Sequence, residues 1–118
     1  MNSVFGGMCG NQIITEQLSS DKKYKIIVFV RDCGATTGFS TQVSILRNDK
    51  KLGDDDSGNV LTISDHYYGN KYNKYGGADV KSEWVTNKKI LIRFDNKAET
   101  RIKENEIKGI EIVYKEIR

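Results

Sequence analysis

The sequence predicts an all-β domain with little helix, an antiparallel sandwich or open barrel of about six to seven strands built from hairpins. Three observations carry this expectation. From Tyr24 to Ile117 the apolar residues recur with period two, the spacing of a pleated strand with one face inward. The 118 residues contain no proline but 11 glycines, so Gly, Asn and Asp must build the turns. The regular runs are short and separated by such turn residues, as hairpin strands are.

Residues 1–21 read as an N-terminal arm, loose over residues 1–10, in which NQIITEQL can join a sheet edge as a short strand before the turn-forming SSDKK. Residues 22–118 read as a single β domain. Its organising stretch is KKYKIIVFVRDCGATTGFSTQVSIL, Lys22 to Leu46. There Ile26, Val28 and Val30 oppose Ile27 and Phe29. Apolar residues on both faces predict a strand covered on two sides. The return run places Thr41, Val43 and Ile45 against Ser40, Gln42 and Ser44, which predicts one wet face.

Between these strands, Asp32 to Phe39 is too long for a tight hairpin and needs its own hydrogen bonds. Arg31, Asp32, Cys33, Gly34, Thr36 and Thr37 are read as this structural loop. The segment RNDKKLGDDDSGN follows as a turn-rich connector carrying Asp54, Asp55 and Asp56. NVLTIS reads as a third strand. ADVKSEWV and KILIRF, joined at Thr86-Asn87-Lys88, read as a hairpin with Trp84 and Phe94 as its core anchor. Within DNKAETRIKENEIKG the alternatives are one helical turn or a short hairpin around Lys103 to Asn105. A last strand alternates Ile110, Ile112 and Tyr114 against Glu111, Val113 and Lys115.

Composition narrows the function classes. Hydrophobic residues are 37% of the chain and charged ones 30%, a globular balance. Net charge is +3 with a pI near 8.8, an excess of cations too modest for a general attraction to nucleic acid. No apolar run reaches the length of a membrane-spanning helix. The opening MNSVFGGMCGNQ has no basic or apolar leader region, so a cytoplasmic location is expected, with the bacterial envelope as the alternative if a leader lies upstream. Cys9 and Cys33 either form one disulfide in an oxidising compartment or remain free thiols.

The chemistry-bearing residues do not assemble into a catalytic set. One histidine, His66, leaves no zinc site and no mechanism needing two imidazoles. Phosphate-binding and metalloprotease motifs are missing, and the Asp54–Asp56 run lacks the spacing of a calcium loop. No metal, cofactor or enzymatic activity is expected. The segment DHYYGNKYNKYGGA has a different character: Tyr67, Tyr68, Tyr72 and Tyr75 interleave with Lys71 and Lys74. Tyrosines suit contact loops, because they bring large amphipathic area at low entropy cost.

Residues 19–46, and above all RDCGATTGFSTQVS at Arg31 to Ser44, resemble a family of small, mostly uncharacterised bacterial lipoprotein-like proteins. In that family a leader ends in a lipid-bearing cysteine and a Ser-Pro-Asp-Gly-Lys turn follows. Here SSDKK stands in the turn's place and Cys9 roughly in that of the lipid-bearing cysteine. The likeness continues weakly through Gly58 to Val60 and the Trp84 to Phe94 hairpin. It implies a stable β scaffold with a fixed RDCGATTG loop, and no activity. The SDKK turn and WVTNKKILIRF also resemble pieces of a TolB-type propeller blade, a local likeness in a chain too short to close a propeller.

The function expected is therefore non-enzymatic binding of a protein partner. Its most specific form is an immunity protein neutralising a bacterial toxin, such as a nuclease, with the tyrosine loop and Asp54–Asp56 as contact surfaces. An envelope domain of lipoprotein-like type is the alternative. An enzyme or nucleic-acid binder using Cys33 or the tyrosine loop is a third class. Membrane attachment enters only with an upstream leader.

Overall fold

The computed structural model describes residues 9–34 and 38–118, so the part of the Asp32–Phe39 loop that holds Thr36 and Thr37 lies outside the described residues. Nine strands are present among them: β1 (Gly10–Leu18), β2 (Tyr24–Asp32), β3 (Phe39–Arg47), β4 (Leu61–Ile63), β5 (Val80–Thr86), β6 (Lys89–Phe94), β7 (Thr100–Lys103), β8 (Glu106–Ile107) and β9 (Ile110–Glu116). They form one five-stranded sheet, β1-β2-β3-β4-β7, and one four-stranded sheet, β5-β6-β9-β8. The all-β expectation holds. No helix long and apolar enough to cross a membrane occurs among the described residues.

The two sheets bury one core between them. Ile26, Val28, Val43, Ile45, Leu61 and Ile63 of the first meet Val80, Ile90, Ile92, Phe94, Ile110 and Ile112 of the second. Alternation decides membership: along β6 every second residue is buried, as the period-two spacing predicts. The β2–β3 hairpin pairs in continuous register from Tyr24↔Arg47 to Asp32↔Phe39. The β5–β6 hairpin turns at Asn87-Lys88, with Thr86 opposite Lys89.

Five expectations need correction. NQIITEQL joins the sheet edge as expected, but the strand is longer and starts inside the span read as loose: Gly10–Leu18 is a nine-residue edge strand paired along β2, with a bulge between Ile13 and Thr15. Trp84 lies opposite Ile90, whereas Phe94 lies opposite Val80. Trp84 and Phe94 therefore do not form one anchor; the Trp84 indole N–H instead donates to the Gln17 carbonyl of β1, 3.0 Å away.

Residues 96–108 form neither a helical turn nor a hairpin at Lys103 to Asn105. β7 crosses to the far edge of the first sheet beside β4, and the hairpin turn comes later, at Lys108-Gly109 between the paired Ile107 and Ile110. Both turn residues have positive φ, 55° and 79°, the geometry of a two-residue hairpin turn. This excursion to the other sheet makes β9 enter beside β6 in the same direction, so the sheets are mostly rather than wholly antiparallel.

The fifth correction concerns the face of β3 expected to be wet. Gln42 and Ser44 are 7% and 2% exposed, because the connector after β3 folds back over them. The Gln42 carboxamide oxygen accepts from Gly58 N at 2.7 Å, and the Ser44 hydroxyl accepts from Asn59 N at 3.1 Å. Asn59 then replaces a strand: its Oδ1 accepts from Ile45 N at 2.9 Å and its Nδ2 donates to the Ile45 carbonyl at 3.0 Å. Gly58 is required by this approach. A Cβ there would stand 2.7 Å from the Leu61 carbonyl oxygen and 2.8 Å from that of Val43.

Candidate functional site

The connector continues across β2 to β1 and carries the three aspartates with it. Arg31 and Asn11 are directly paired on neighbouring strands, so their side chains rise together from the outer face. One guanidinium nitrogen, Nη1 of Arg31, donates to the Asp54 carbonyl, the Asp56 carbonyl and Asn11 Oδ1 at 2.9, 2.9 and 3.0 Å. Asn11 Nδ2 donates to the Gly53 and Asp56 carbonyls, both at 2.8 Å. The loop is thus gripped by its backbone, and Ile27 and Phe29 beneath are 1% and 0% exposed.

Two of the three carboxylates are also used within this clamp. Asp54 Oδ1 accepts from Asn11 N and Asp56 Oδ2 from Gly53 N. Asp55 takes no part in it and is exposed.

Cys9 and Cys33 are joined by a disulfide with their Cα atoms 4.0 Å apart. The bond lies one step beyond the Gly10↔Asp32 rung and cross-links the end of the β1–β2 ladder, beside the Asn11–Arg31 pair. A sulfur bonded in this way cannot also carry a thioether lipid, and Cys33 is not a free nucleophile. Past the bridge the chain turns with the Asp32 carboxylate accepting from Gly34 N at 3.0 Å.

The tyrosine loop splits into an inward and an outward part. Tyr67 is 8% exposed and belongs to the core. Its hydroxyl donates to Asp95 Oδ2 at 2.6 Å and accepts from Lys71 N at 3.0 Å. This bond, with a second from Lys97 N, holds the Asp95 carboxyl below its ordinary value; burial and the neighbouring Asp95 raise the Tyr67 phenol above its own. Gly69 makes the closure feasible, since a Cβ there would collide with the Tyr67 hydroxyl and reach Asp95 Oδ2 at 2.6 Å.

Asn73 orders the next turn. Its Oδ1 accepts from Tyr75 N and Gly77 N, while Nδ2 donates to Thr41 Oγ1 and the Ala78 carbonyl. Tyr72 pairs in a bridge with Ala78, stacks at a tilt on Tyr67 with ring centroids 5.0 Å apart, and donates to the Tyr67 carbonyl.

On this frame Tyr68 and Tyr72 stand 86% and 47% exposed, and Phe39, which faces Gly76, is 42% exposed. Lys71 and Lys74 are exposed in the same loop, with Lys74 5.3 Å from the Tyr75 ring centre. No hydrogen bond or ion pair among the described residues joins this loop to the acidic one. The first loop shields the outer face of the first sheet, and the second closes an end of the space between the sheets.

His66 lies 3.5 Å from Asp65 and is largely exposed. No group of three potential metal ligands comes together among the described residues. Asn11, Asn59, Asn73 and Asp95 escape sequence reasoning. Each acts through a partner more than a dozen residues away or through a turn amide, and a single polar residue carries no periodic signal. No family model matches the chain, and no similar curated protein or solved structure was found for it.

Proposed function

We propose that this chain is a non-enzymatic β-sandwich that binds a protein partner through the outward part of its tyrosine loop. The observation that carries the reading is the exposure of Tyr68 and Tyr72 on a loop whose base is pinned by Tyr67–Asp95 and by Asn73. Exposed aromatics on a rigid base lose little entropy on contact and make efficient anchors. Lys71 and Lys74 around them favour an acidic rim on the partner. In its most specific form the protein is an immunity protein that neutralises a bacterial toxin.

The test is direct: the purified chain is mixed with the product of the adjacent gene and passed over a sizing column. A complex is expected with the unaltered chain and its loss with Tyr68→Ala/Tyr72→Ala. A complex that survives the double substitution removes the assignment of the surface.

A second reading, an envelope domain, is favoured by the Cys9–Cys33 disulfide, because such bonds persist in oxidising compartments and are rare in the cytosol. Thiol trapping on fractionated cells separates the two locations. Both cysteines trapped as free thiols in the cytosolic fraction would remove it.

A further inference from the structure

A third place in the molecule gathers unsatisfied charge. On the outer face of the first sheet a cavity of about 280 Å³ is lined by Arg31, Cys33, Gly38, Ser40, Gln42, Asp65 and Arg101. Arg101 reaches it through a backbone irregularity. β4 and β7 pair Thr62 with Ile102 but Ile63 with Thr100, so Arg101 is the extra residue of a β-bulge. Such bulges re-aim a side chain that regular pairing would send to the other face.

The bulge lets Arg101 line the same cavity as Arg31, with Ser40, which pairs with Arg31 on the next strand, also in its wall. Arg31 spends only Nη1 on the acidic loop and Asn11, which leaves the rest of its fork of donors unused among the described residues. The Arg101 side chain makes no hydrogen bond or ion pair among the described residues.

The cavity's remaining polar groups limit what can fill it. Ser40 Oγ donates to the Ile63 carbonyl at 2.5 Å and accepts from Gln42 Nε2, so neither side chain needs a ligand. Asp65 Oδ1 is different: it is buried without a hydrogen-bond partner among the described residues, and the imidazole Nε2 of His66 stands 3.5 Å away. A buried carboxylate oxygen lacking a donor is costly. The matching ligand offers a carboxylate to two guanidinium groups and, next to it, an N–H to Asp65. Whole small-molecule sites run from roughly 300 to 1,000 Å³, so this cavity admits only the tip of a larger ligand.

We propose that the cavity binds the C-terminal carboxylate of a peptide chain, Arg31 and Arg101 taking the carboxylate and Asp65 accepting the terminal residue's amide N–H. The proposal rests on the partner-binding reading and adds to it a second contact with defined chemistry.

The probes are three short N-acetylated peptides: Gly-Gly-Ala as the free acid, the same peptide as its C-terminal amide, and amidated Gly-Asp-Gly. Binding is followed by backbone amide shifts of Gly38, Ser40 and Gln42, with inorganic phosphate as the anion control. The free acid is expected to bind saturably. Arg101→Gln should weaken it about tenfold, and Arg101→Lys should restore only part, because an ammonium cannot form the bidentate pair.

Equal binding of the amide, of the aspartyl peptide or of phosphate overturns the assignment, as does an unchanged affinity in Arg101→Gln or no saturable binding of the acid. The two readings fail separately. A partner complex that forms normally beside a cavity that ignores the free acid removes this proposal alone. A cavity that binds the acid beside a partner complex indifferent to Tyr68 and Tyr72 removes the assignment of the tyrosine surface alone.

Discussion

The acidic loop and the tyrosine loop are both long, polar insertions between strands, yet they are held in opposite ways. Gly53–Asp56 is gripped from below by Arg31 and Asn11, which bond its carbonyls; it serves as a cover for Phe29. The tyrosine loop grips itself, driving Tyr67 into the core and leaving Tyr68 outside. The difference shows that a charge run or an aromatic cluster does not announce its use. What matters is which atoms, backbone or side chain, the neighbouring strands engage.

Breaking the support of the acidic loop should have the largest effect. The disulfide closes a chain segment of sequence separation 24, so replacing both cysteines by serine should cost about 3 kcal/mol in urea unfolding. The loss should come with faster exchange of the Gly53–Asp56 amides than of those in the tyrosine loop. Next comes Arg31→Ala, which orphans the Asp54 carbonyl and Asn11 Oδ1, leaves the Asp56 carbonyl to Asn11 Nδ2 alone and should cost about 2 kcal/mol. Its diagnostic is increased exposure of the β2 outer face to a hydrophobic dye, without loss of the core β signal.

On the other side of the comparison, Tyr67→Phe should lower the thermal midpoint by less than Arg31→Ala, and its effect should depend on acid. Hydrogen bonding depresses the folded-state pKa of Asp95 below its ordinary value of 3.8. The stability it adds is therefore complete above that value and lost as pH falls through the lower, folded one. The gap between the unaltered chain and Tyr67→Phe should accordingly close on acidification; a gap that widens would show that Asp95 is not its source. The smallest effect is Tyr68→Ala, expected within about 0.5 kcal/mol of the unaltered stability. If it destabilises as much as Tyr67→Phe, the division of the loop into inward and outward parts is wrong.

Sequence alone carried the parts that repeat. The all-β class, the β2–β3 and β5–β6 hairpins and the buried Ile90, Ile92, Phe94 and Ile110, Ile112 sets follow from period-two spacing, because a pleated strand turns alternate side chains to opposite faces. The outward tyrosines could be nominated from composition, but composition could not separate Tyr67 from Tyr68. They are adjacent and identical, and only Asp95, far along the chain, distinguishes them.

Tertiary structure decided everything that depends on pairing across long separations. It selected the bridged state of Cys9 and Cys33, set β7 in one sheet and β8 and β9 in the other, and buried the polar stripe of β3 under Gly58 and Asn59. It also brought Arg31 and Arg101 to one cavity. The reason is common to all of these. Local pattern states which face of a strand is apolar, but the identity of the neighbour that covers a face, or satisfies a donor, is a property of the closed chain.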